Sequence, residues 1–463
     1  MILNDFITTK KIAVFIVLSG FLFGPKIYYG DMKNSITGLT SSIVEYHQLT
    51  VNEYFGSSGD VAFKDGNFYS GMAPGTSFLA LPFYGVAKQY FKVGIESVSE
   101  WMETYCAKRI LRLEKQNNRD DHKSPFFSIC RSPFFKEQIA TNFIISFFLG
   151  SIGGALSFFL VFRIVLAVSN DTVAAKKTSL LMYFGTTMVV FNASFHTQAF
   201  ALVFLLLSIF LLFVKTSGQF YVLTGSLSAG IAGTIDYPYS LYGGIVILFF
   251  GVHSAMTHSS KLKTVVLSCL AFLIPLGLII LYYNACFGNP FSTPYHYRYT
   301  LGTQYLHNLG EFVGIGRPSV DKAYSLLFSS NEGLLWLSPF CLLFPFKIKK
   351  IATDFHLFPP AKFNVFSNLA AGKNQFLIVL IVALTCVSTL FAASIPWIGK
   401  AGAYSGSRFS LTAAPFMVIL TYKYFQEKNR FFTFLIIYSC VVNHLNLVGL
   451  QPVKFLFVLF QEG

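Results

Sequence analysis

The chain has 463 residues, of which 54% are hydrophobic and only 12% are charged. Soluble domains carry about 25% charged residues, so this composition excludes an ordinary soluble protein and indicates a polytopic α-helical membrane protein. The net charge of +14 does not indicate nucleic-acid binding, because the basic residues are scattered through short segments between apolar runs.

Eleven apolar runs are predicted to be membrane-spanning helices. They cover residues 12–29, 142–166, 179–191, 199–214, 221–235, 241–252, 265–283, 334–346, 376–395, 411–422 and 431–450. The first run is followed at once by Pro25 and Lys26 and not by a small-residue cleavage site, so we expect an uncleaved span. Residues 1–463 are therefore expected to form a single all-α integral membrane domain.

Basic residues between the apolar runs predict the orientation of the chain. Lys10 and Lys11 precede the first span and place the N-terminus in the cytoplasm. The later basic clusters should lie on the same side; they fall at residues 176–177, 261–263, 347–350 and 423–430. They do so only if one of the two runs at residues 74–90 and 142–166 does not cross fully. The run at 74–90 is the weaker, because it contains Pro74, Pro82 and Lys88, and we read it as a re-entrant or surface-lying helix. In the alternative, this run crosses the membrane and residues 92–137 are cytoplasmic.

In the favoured orientation, the polar segments of the chain gather on the extracytoplasmic face of the inner membrane. They are the long first loop at residues 30–137, a second large outer loop at 284–331, and short segments at 192–198, 236–239 and 396–408. Cys106 and Cys130 share the first loop. In an oxidising compartment they either form a disulfide or remain two thiols.

The first loop offers two carboxylates for acid–base chemistry. Asp31 follows the first span, and Asp60 lies beyond a predicted amphipathic helix at residues 36–44. A carboxylate near the membrane surface can accept a proton from a hydroxyl that attacks a lipid-linked substrate. Either residue could equally be a solvated loop acid. Asp65 precedes Gly66 and is predicted to form a turn.

Further polar candidates lie at span ends on the same face. His196 could hydrogen-bond a sugar or phosphate, or cap a helix. Asp236 is either a functional acid or an N-cap. Arg298 lies among the tyrosines of the second large loop, whose aromatic residues suit either sugar stacking or an interfacial belt.

A glycine-rich segment at residues 397–409 precedes a late span. Lys400 and Arg408 could donate hydrogen bonds to a phosphate there, with arginine offering the better fork, or could anchor the span by charge. Trp397 and Tyr404 are candidates for substrate contact in the same segment.

Several different short motifs follow one another in order along nearly the whole chain. They are Asp60…Gly66-x-x-Tyr69-Ser70…Pro74-Gly75…Leu81-Pro82, Gly185-Thr186…His196, Tyr283-Asn284…Phe287-Gly288-x-Pro290, Gly333-Leu334-Leu335…Ser338-Pro339 and Trp397…Gly402…Arg408-Phe409…Pro415. This order resembles bacterial GT-C-type glycosyltransferase-like membrane proteins, related to the protein mannosyltransferase and lipid A aminoarabinose transferase superfamily. The resemblance implies a GT-C-like fold and a polyprenyl-phosphate-linked sugar donor used on the outer face.

The resemblance gives two positions for the catalytic aspartate. In that superfamily it often follows the first span, sometimes as Asp-Glu, which here corresponds to Asp31 followed by Met32. The Asp…Gly…Tyr-Ser…Pro-Gly pattern instead corresponds to Asp60, which we favour.

These observations predict an inverting glycosyltransferase that moves a hexosyl or pentosyl group to a lipid, glycan or protein acceptor. Asp60 or Asp31 would be the base, and Arg408, assisted by Lys400 or Arg298, would hold the donor phosphate. The remaining substrate contacts are assigned to Tyr69, His196, Asp236, Trp397 and Tyr404. No cofactor is predicted, and a divalent metal is possible but not indicated. The alternatives are a transporter or flippase of lipid-linked glycans and a non-catalytic envelope-assembly protein.

Overall fold

The computed structural model describes residues 11–18, 31–54, 58–90, 100, 104, 141–142, 145–193, 195–215, 218–257, 261–299, 315–329, 333–342, 373–395, 412–425 and 430–447. The predicted disulfide partners Cys106 and Cys130 lie outside the described residues, as does the glycine-rich segment at residues 397–409.

Within this described part, five helices are long and apolar enough to cross a membrane, which makes the chain an α-helical membrane protein. The spanning portions are Ile145–Ser169, Thr197–Lys215, Pro238–Met256, Leu262–Phe287 and Asn374–Ala393. The predicted class, a helical membrane protein, is thus confirmed, whereas the number of eleven spans is not.

The helices are numbered in chain order. They are α1 (residues 11–18), α2 (Asp31–Tyr46), α3 (Gly75–Tyr90), α4 (Ile145–Ser169, with a π-helical first segment), α5 (Thr172–Phe184), α6 (Met188–Ala193), α7 (Thr197–Lys215), α8 (Gln219–Ile235), α9 (Pro238–Thr257), α10 (Lys261–Phe287), α11 (Val320–Phe328), α12 (Leu334–Leu337), α13 (Lys373–Ala393), α14 (Ala413–Leu420) and α15 (Arg430–Leu447). Short 3₁₀ turns occupy Pro294–Tyr297, Pro339–Leu342 and Tyr422–Phe425.

Two predicted spans are broken where the sequence carries glycine or proline. The run at 179–191 is divided between α5 and α6, because α5 ends at Phe184 and Gly185 is its C-cap. The described part of the run at 334–346 is the four-residue α12 followed by a 3₁₀ turn that begins at Pro339. Proline lacks the N–H that would continue a helix, which explains the second break.

The centre of the bundle is formed by α7, α8, α9 and α10, which pack on one another. Small residues let α8 and α10 approach closely: the Gly230 Cα faces the backbone carbonyl of Phe272, and the hydroxyls of Ser226 and Ser268 lie 2.7 Å apart. The opposite side of α10 is apolar and exposed, as expected for a helix that faces lipid.

The helix predicted at residues 36–44 is present as α2, but it is not amphipathic in its environment. Every residue from Lys33 to Ser42 is buried. Some of its hydroxyls bond locally, as when Thr40 donates to the Ile36 carbonyl at 3.0 Å, and others pair with distant segments, as when the Ser41 hydroxyl lies 2.9 Å from that of Thr141. The run at 74–90 forms α3, which packs on α2 and α8. Whether α3 crosses the membrane stays a prediction.

One β-hairpin departs from the predicted all-α class. Strand β1 (Val61–Lys64) pairs antiparallel with β2 (Asn67–Ser70), with Phe63 opposite Phe68. The two-residue turn is Asp65-Gly66, and both residues have positive φ, 50° and 82°, which is the geometry of a type I′ turn. The predicted turn at Asp65 is therefore confirmed.

The hairpin is extended on both edges by segments distant in sequence. Val51 donates its backbone N–H to the Phe68 carbonyl at 2.7 Å, beside β2. On the other edge, the Tyr299 N–H donates to the Val61 carbonyl at 3.1 Å. The chain that follows α10 is thereby joined to the chain that precedes α3, and the candidate site lies at this junction.

Candidate functional site

Asp60 is the residue before β1, and both its backbone N–H and its backbone carbonyl are hydrogen-bonded. Its N–H donates to the Ser58 hydroxyl at 3.0 Å, and its carbonyl accepts from the Gly71 N–H at 2.9 Å. Side chains alternate between the two faces of a strand, so the Asp60 side chain lies on the same face as those of Ala62 and Lys64. This face meets the end of α10, where Lys64 and Tyr69 contact Phe287.

Arg298 is brought to Asp60 by the segment that follows α10. It forms a β-bridge with Ala62, directly after the 3₁₀ turn Pro294–Tyr297. Its Nη1 donates to Asp60 Oδ1 at 2.5 Å, a charge-assisted hydrogen bond. The face of the guanidinium lies 4.7 Å from the centre of the Tyr295 ring.

The two partners of this ion pair differ in exposure. Arg298 is only 3% exposed, whereas 19% of the Asp60 side-chain surface is accessible. Asp60 Oδ2 makes no hydrogen bond with any other residue that the structure describes. The pair thus combines a partly accessible carboxylate with a buried cation.

Gly71 provides the space in which this pair forms. A Cβ atom at this position would collide with Arg298 Nη1 and with the backbone carbonyl of Asp60. The Gly71 N–H also donates to the Ser35 hydroxyl of α2 at 3.0 Å, and Ser35 lies 2.9 Å from the Ser70 hydroxyl. The first turns of α2 therefore support the back of the site.

Tyrosines line the side of the pair that faces the bundle. Tyr237 lies in the turn between α8 and α9 and accepts a hydrogen bond from the Tyr283 hydroxyl. Its ring packs edge-on against Tyr295 at 5.6 Å. Burial, followed by the neighbouring Tyr283, raises the pKa of Tyr237 well above its usual value. The hydroxyl is therefore neutral and can serve as a hydrogen-bonding group at any physiological pH.

Tyr69 lies on the Asp60 face of the hairpin, where its ring contacts Phe287 at 5.2 Å. Its pKa is raised, chiefly by burial and then by Cys286. The predicted substrate residue Tyr69 is thus in the same module as Asp60 and Arg298, although it packs against the end of α10.

Lys64 ties the hairpin to the end of α10. Its ammonium donates to the carbonyl of Phe287, the last residue of that helix, and lies 5.4 Å from the centre of the Tyr297 ring. A cation is favoured at this position because the last carbonyls of a helix carry partial negative charge. Sequence reasoning missed this residue, which no local pattern distinguishes from a solvated lysine.

Asp236 and His196 form a neighbouring polar cluster around the start of α7. The Thr197 hydroxyl lies 3.2 Å from Asp236 Oδ2 and 3.6 Å from the Met32 sulfur of α2. Asp236 is the C-cap of α8, and its backbone carbonyl accepts from the Tyr239 N–H of α9 at 2.9 Å; the predicted N-cap role of its side chain stays a prediction. His196 is the N-cap of α7 but makes no capping hydrogen bond through its side chain; its ring packs edge-on against Phe191.

Lys33 is a second residue that sequence reasoning missed. It lies in the first turn of α2. In the same part of this helix, Met32 contacts Thr197 of the Asp236 cluster, and Ser35 accepts the hydrogen bond from Gly71. Lys33 is buried, and burial lowers its pKa to about 7. Its position directly after Asp31-Met32 was the available signal, but the predicted amphipathic helix began only at residue 36.

The structure does not place the other predicted site residues. Asp31 is the first residue of α2, and its side chain lies outside the described part. The remaining predicted residues lie outside the described ranges altogether; they are Trp397, Lys400, Tyr404 and Arg408. Among the residues that are described, no three His, Cys, Asp or Glu side chains converge as a metal site.

The comparison with known proteins adds no family to this geometry. No protein-family model matches the sequence, and no curated protein matches it.

Proposed function

We propose that this chain is a membrane glycosyltransferase that moves a sugar from a polyprenyl-phosphate donor to an acceptor hydroxyl on the extracytoplasmic face of the inner membrane. The observation that carries the proposal is the Asp60–Arg298 pair, in which a partly exposed carboxylate lies against a buried guanidinium. Glycosyl transfer from a lipid phosphate needs these two groups together: a base for the acceptor and a cation for the leaving phosphate.

The proposed chemistry is a single displacement. Asp60 accepts the proton of the acceptor hydroxyl, whose oxygen forms a bond to the anomeric carbon. The bond between that carbon and the phosphate oxygen breaks, the polyprenyl phosphate leaves with the electron pair, and the anomeric configuration is inverted. Arg298 stabilises the negative charge on the phosphate, with Arg408 and Lys400 as the further donors.

The surroundings of the pair support a sugar as the transferred group. Tyr237 and Tyr295 line the buried side of Arg298, and tyrosine rings offer both a stacking surface and hydroxyls for hydrogen bonds. Asp31, at the start of α2, remains the second candidate for the base.

A transporter of lipid-linked glycans is the second candidate function, and one observation favours it. The chain between α5 and α7 is broken twice, and Phe195 in the second break has a φ of 50°. Within the described residues, the buried side chains of Asn192 and Gln198 hold oxygen or nitrogen atoms with no hydrogen-bond partner. Broken helices with available polar groups are typical of transporter substrate sites.

An assay of sugar transfer by the purified protein distinguishes the glycosyltransferase from the transporter. We expect Asp60→Asn to lower sugar transfer from a polyprenyl-phosphate sugar by about 10²–10⁴-fold, because asparagine keeps the shape of the side chain but cannot accept the proton. The assay is the release of polyprenyl phosphate in proteoliposomes with defined acceptors.

Asp65→Asn is the matched control, since Asp65 is in the same hairpin, has a side chain that is 83% exposed, and does not touch Arg298. Asp31→Asn is measured in parallel as the second candidate base. Wild-type transfer by both Asp60→Asn and Asp31→Asn would exclude these acids as the base and move the transporter forward.

A further inference from the structure

Arg298 has the properties of an anion-binding site that is filled by the protein itself. Its guanidinium is almost fully removed from solvent, one face is covered by Tyr295, and Nη1 is directed at a carboxylate oxygen. A guanidinium fork binds phosphate oxygens with the same planar geometry as carboxylate oxygens. The Asp60 carboxylate therefore occupies the place that a phosphate oxyanion would take.

The carboxylate is held in a way that permits its departure. Asp60 contacts Arg298 through Oδ1 only, its side chain is partly exposed, and its backbone is fixed by Ser58 and Gly71 independently of the side chain. Rotation of the side chain toward solvent therefore breaks one hydrogen bond and leaves the hairpin unchanged. Arg298 cannot leave in the same way, because its backbone forms a β-bridge with Ala62 at the edge of the hairpin and its side chain is buried.

We propose that a phosphate oxyanion binds Arg298 by exchange with Asp60, so that the base is released from its ion pair only when phosphate is present. The identification of that phosphate with the donor's polyprenyl phosphate rests on the proposed function. The exchange couples the two halves of the reaction: without donor, Asp60 is engaged with Arg298, and with donor bound it is available to the acceptor hydroxyl. The same coupling disfavours activation of water before a donor arrives.

The exchange predicts that loss of the Asp60 charge raises the affinity for phosphate, whereas simple damage to the site would lower it. Asp60→Asn removes the competing charge, so phosphate should bind more tightly to this variant than to the wild type, by about tenfold or more. This factor corresponds to the strength of one charge-assisted hydrogen bond. Binding is measured by isothermal titration of the detergent-solubilised full chain with inorganic phosphate in one arm and undecaprenyl phosphate in the other.

Three variants make the measurement specific. Asp65→Asn changes the net charge equally on the same hairpin and should leave the affinity unchanged. Asp60→Ser should tighten binding as Asp60→Asn does, which guards against a folding defect peculiar to one variant. Arg298→Gln should weaken phosphate binding by about tenfold or more; thermal unfolding of each variant checks that the protein is intact.

The outcomes separate this inference from the proposed function. Tighter binding of either phosphate supports the exchange, and the arm in which it occurs identifies a free or a lipid-borne phosphate as the ligand. Equal or weaker binding by both Asp60 variants in both arms overturns it. Tighter binding without any wild-type sugar transfer would retain the exchange and reject the glycosyltransferase. Transfer without tighter binding would do the reverse.

Discussion

At the scale of single residues, the site depends on the ion pair between Asp60 and Arg298. Arg298 is buried, and an unpaired buried cation is strongly destabilising. Asp60 supplies the negative charge from 238 positions away in sequence. Such a pair is weak evidence for stability, since desolvation offsets much of the attraction. We therefore interpret a buried cation beside a partly accessible carboxylate as a binding feature.

The space around the pair can be tested at Gly71. We expect Gly71→Ala to lower the free energy of unfolding by about 1–3 kcal/mol, because the added methyl group collides with Arg298 Nη1 and with the rigid Asp60 carbonyl. The measurement is the thermal unfolding of the purified protein, together with the transfer assay. Gly85→Ala in α3 is the control, because a Cβ there meets no atom within 4 Å. Equal stability of the two variants would contradict the close approach at Gly71.

At the scale of elements, the hairpin is the part that connects the loops to the bundle. Its inner edge rests on α2 through Ser35 and Ser70, and its turn end is attached to α10 through Lys64. These attachments fix the position of Asp60 relative to Arg298, which follows the end of α10 by eleven residues. The short strands would be marginally stable on their own.

The Lys64 attachment predicts a local effect of mutation. Lys64→Met should increase amide hydrogen exchange across β1 and β2, because the hairpin loses its hydrogen bond to the Phe287 carbonyl. Exchange in the centre of α8, which Lys64 does not contact, should stay at the wild-type rate. Lys64→Arg keeps a cationic donor and should restore part of the protection. Unchanged exchange in the hairpin of Lys64→Met would mean that the attachment does not hold it.

At the scale of the whole molecule, the bundle presents the site at one end of its helices. The end of α10 meets the hairpin there through Phe287, and Tyr237, between α8 and α9, packs in the same apolar cluster as Val61 and Ala62 of β1. The polar residues that we predicted at span ends therefore include several that are neighbours in space. This clustering fits the predicted topology, in which these residues share one face; which side of the membrane that face occupies stays a prediction from the basic residues.

The orientation is tested by cysteine labelling in intact cells. A membrane-impermeant thiol reagent should label Phe291→Cys and Asn117→Cys, which fall in the two predicted outer loops, above the background of the native cysteines. Lys177→Cys, in a predicted cytoplasmic segment, should react only after the membrane is permeabilised. Phe291 is suitable because its side chain is 78% exposed. Protection of Asn117→Cys alone would indicate that α3 crosses the membrane.

Composition and local sequence were enough to predict the class of the protein and the Asp65-Gly66 turn. Low charge content and long apolar runs are properties of composition, so they predicted the helical membrane protein directly. The Asp65-Gly66 turn was also predictable, because glycine next to aspartate favours positive φ wherever it occurs. Gly185 and Pro339 carried the signals for broken helices, but runs of apolar residues outweighed them in our prediction of eleven spans.

The contacts between polar residues, by contrast, depend on how distant parts of the chain pack together. Asp60 and Arg298 were separate candidates with different roles, and nothing local to either indicates a partner in the other half of the chain. Their contact depends on a sheet edge formed between two loops and on the space left by Gly71. The burial of Lys33 likewise depends on the elements packed around α2. Long-range pairing of this kind is fixed by the packing of the whole bundle, which no window of sequence contains.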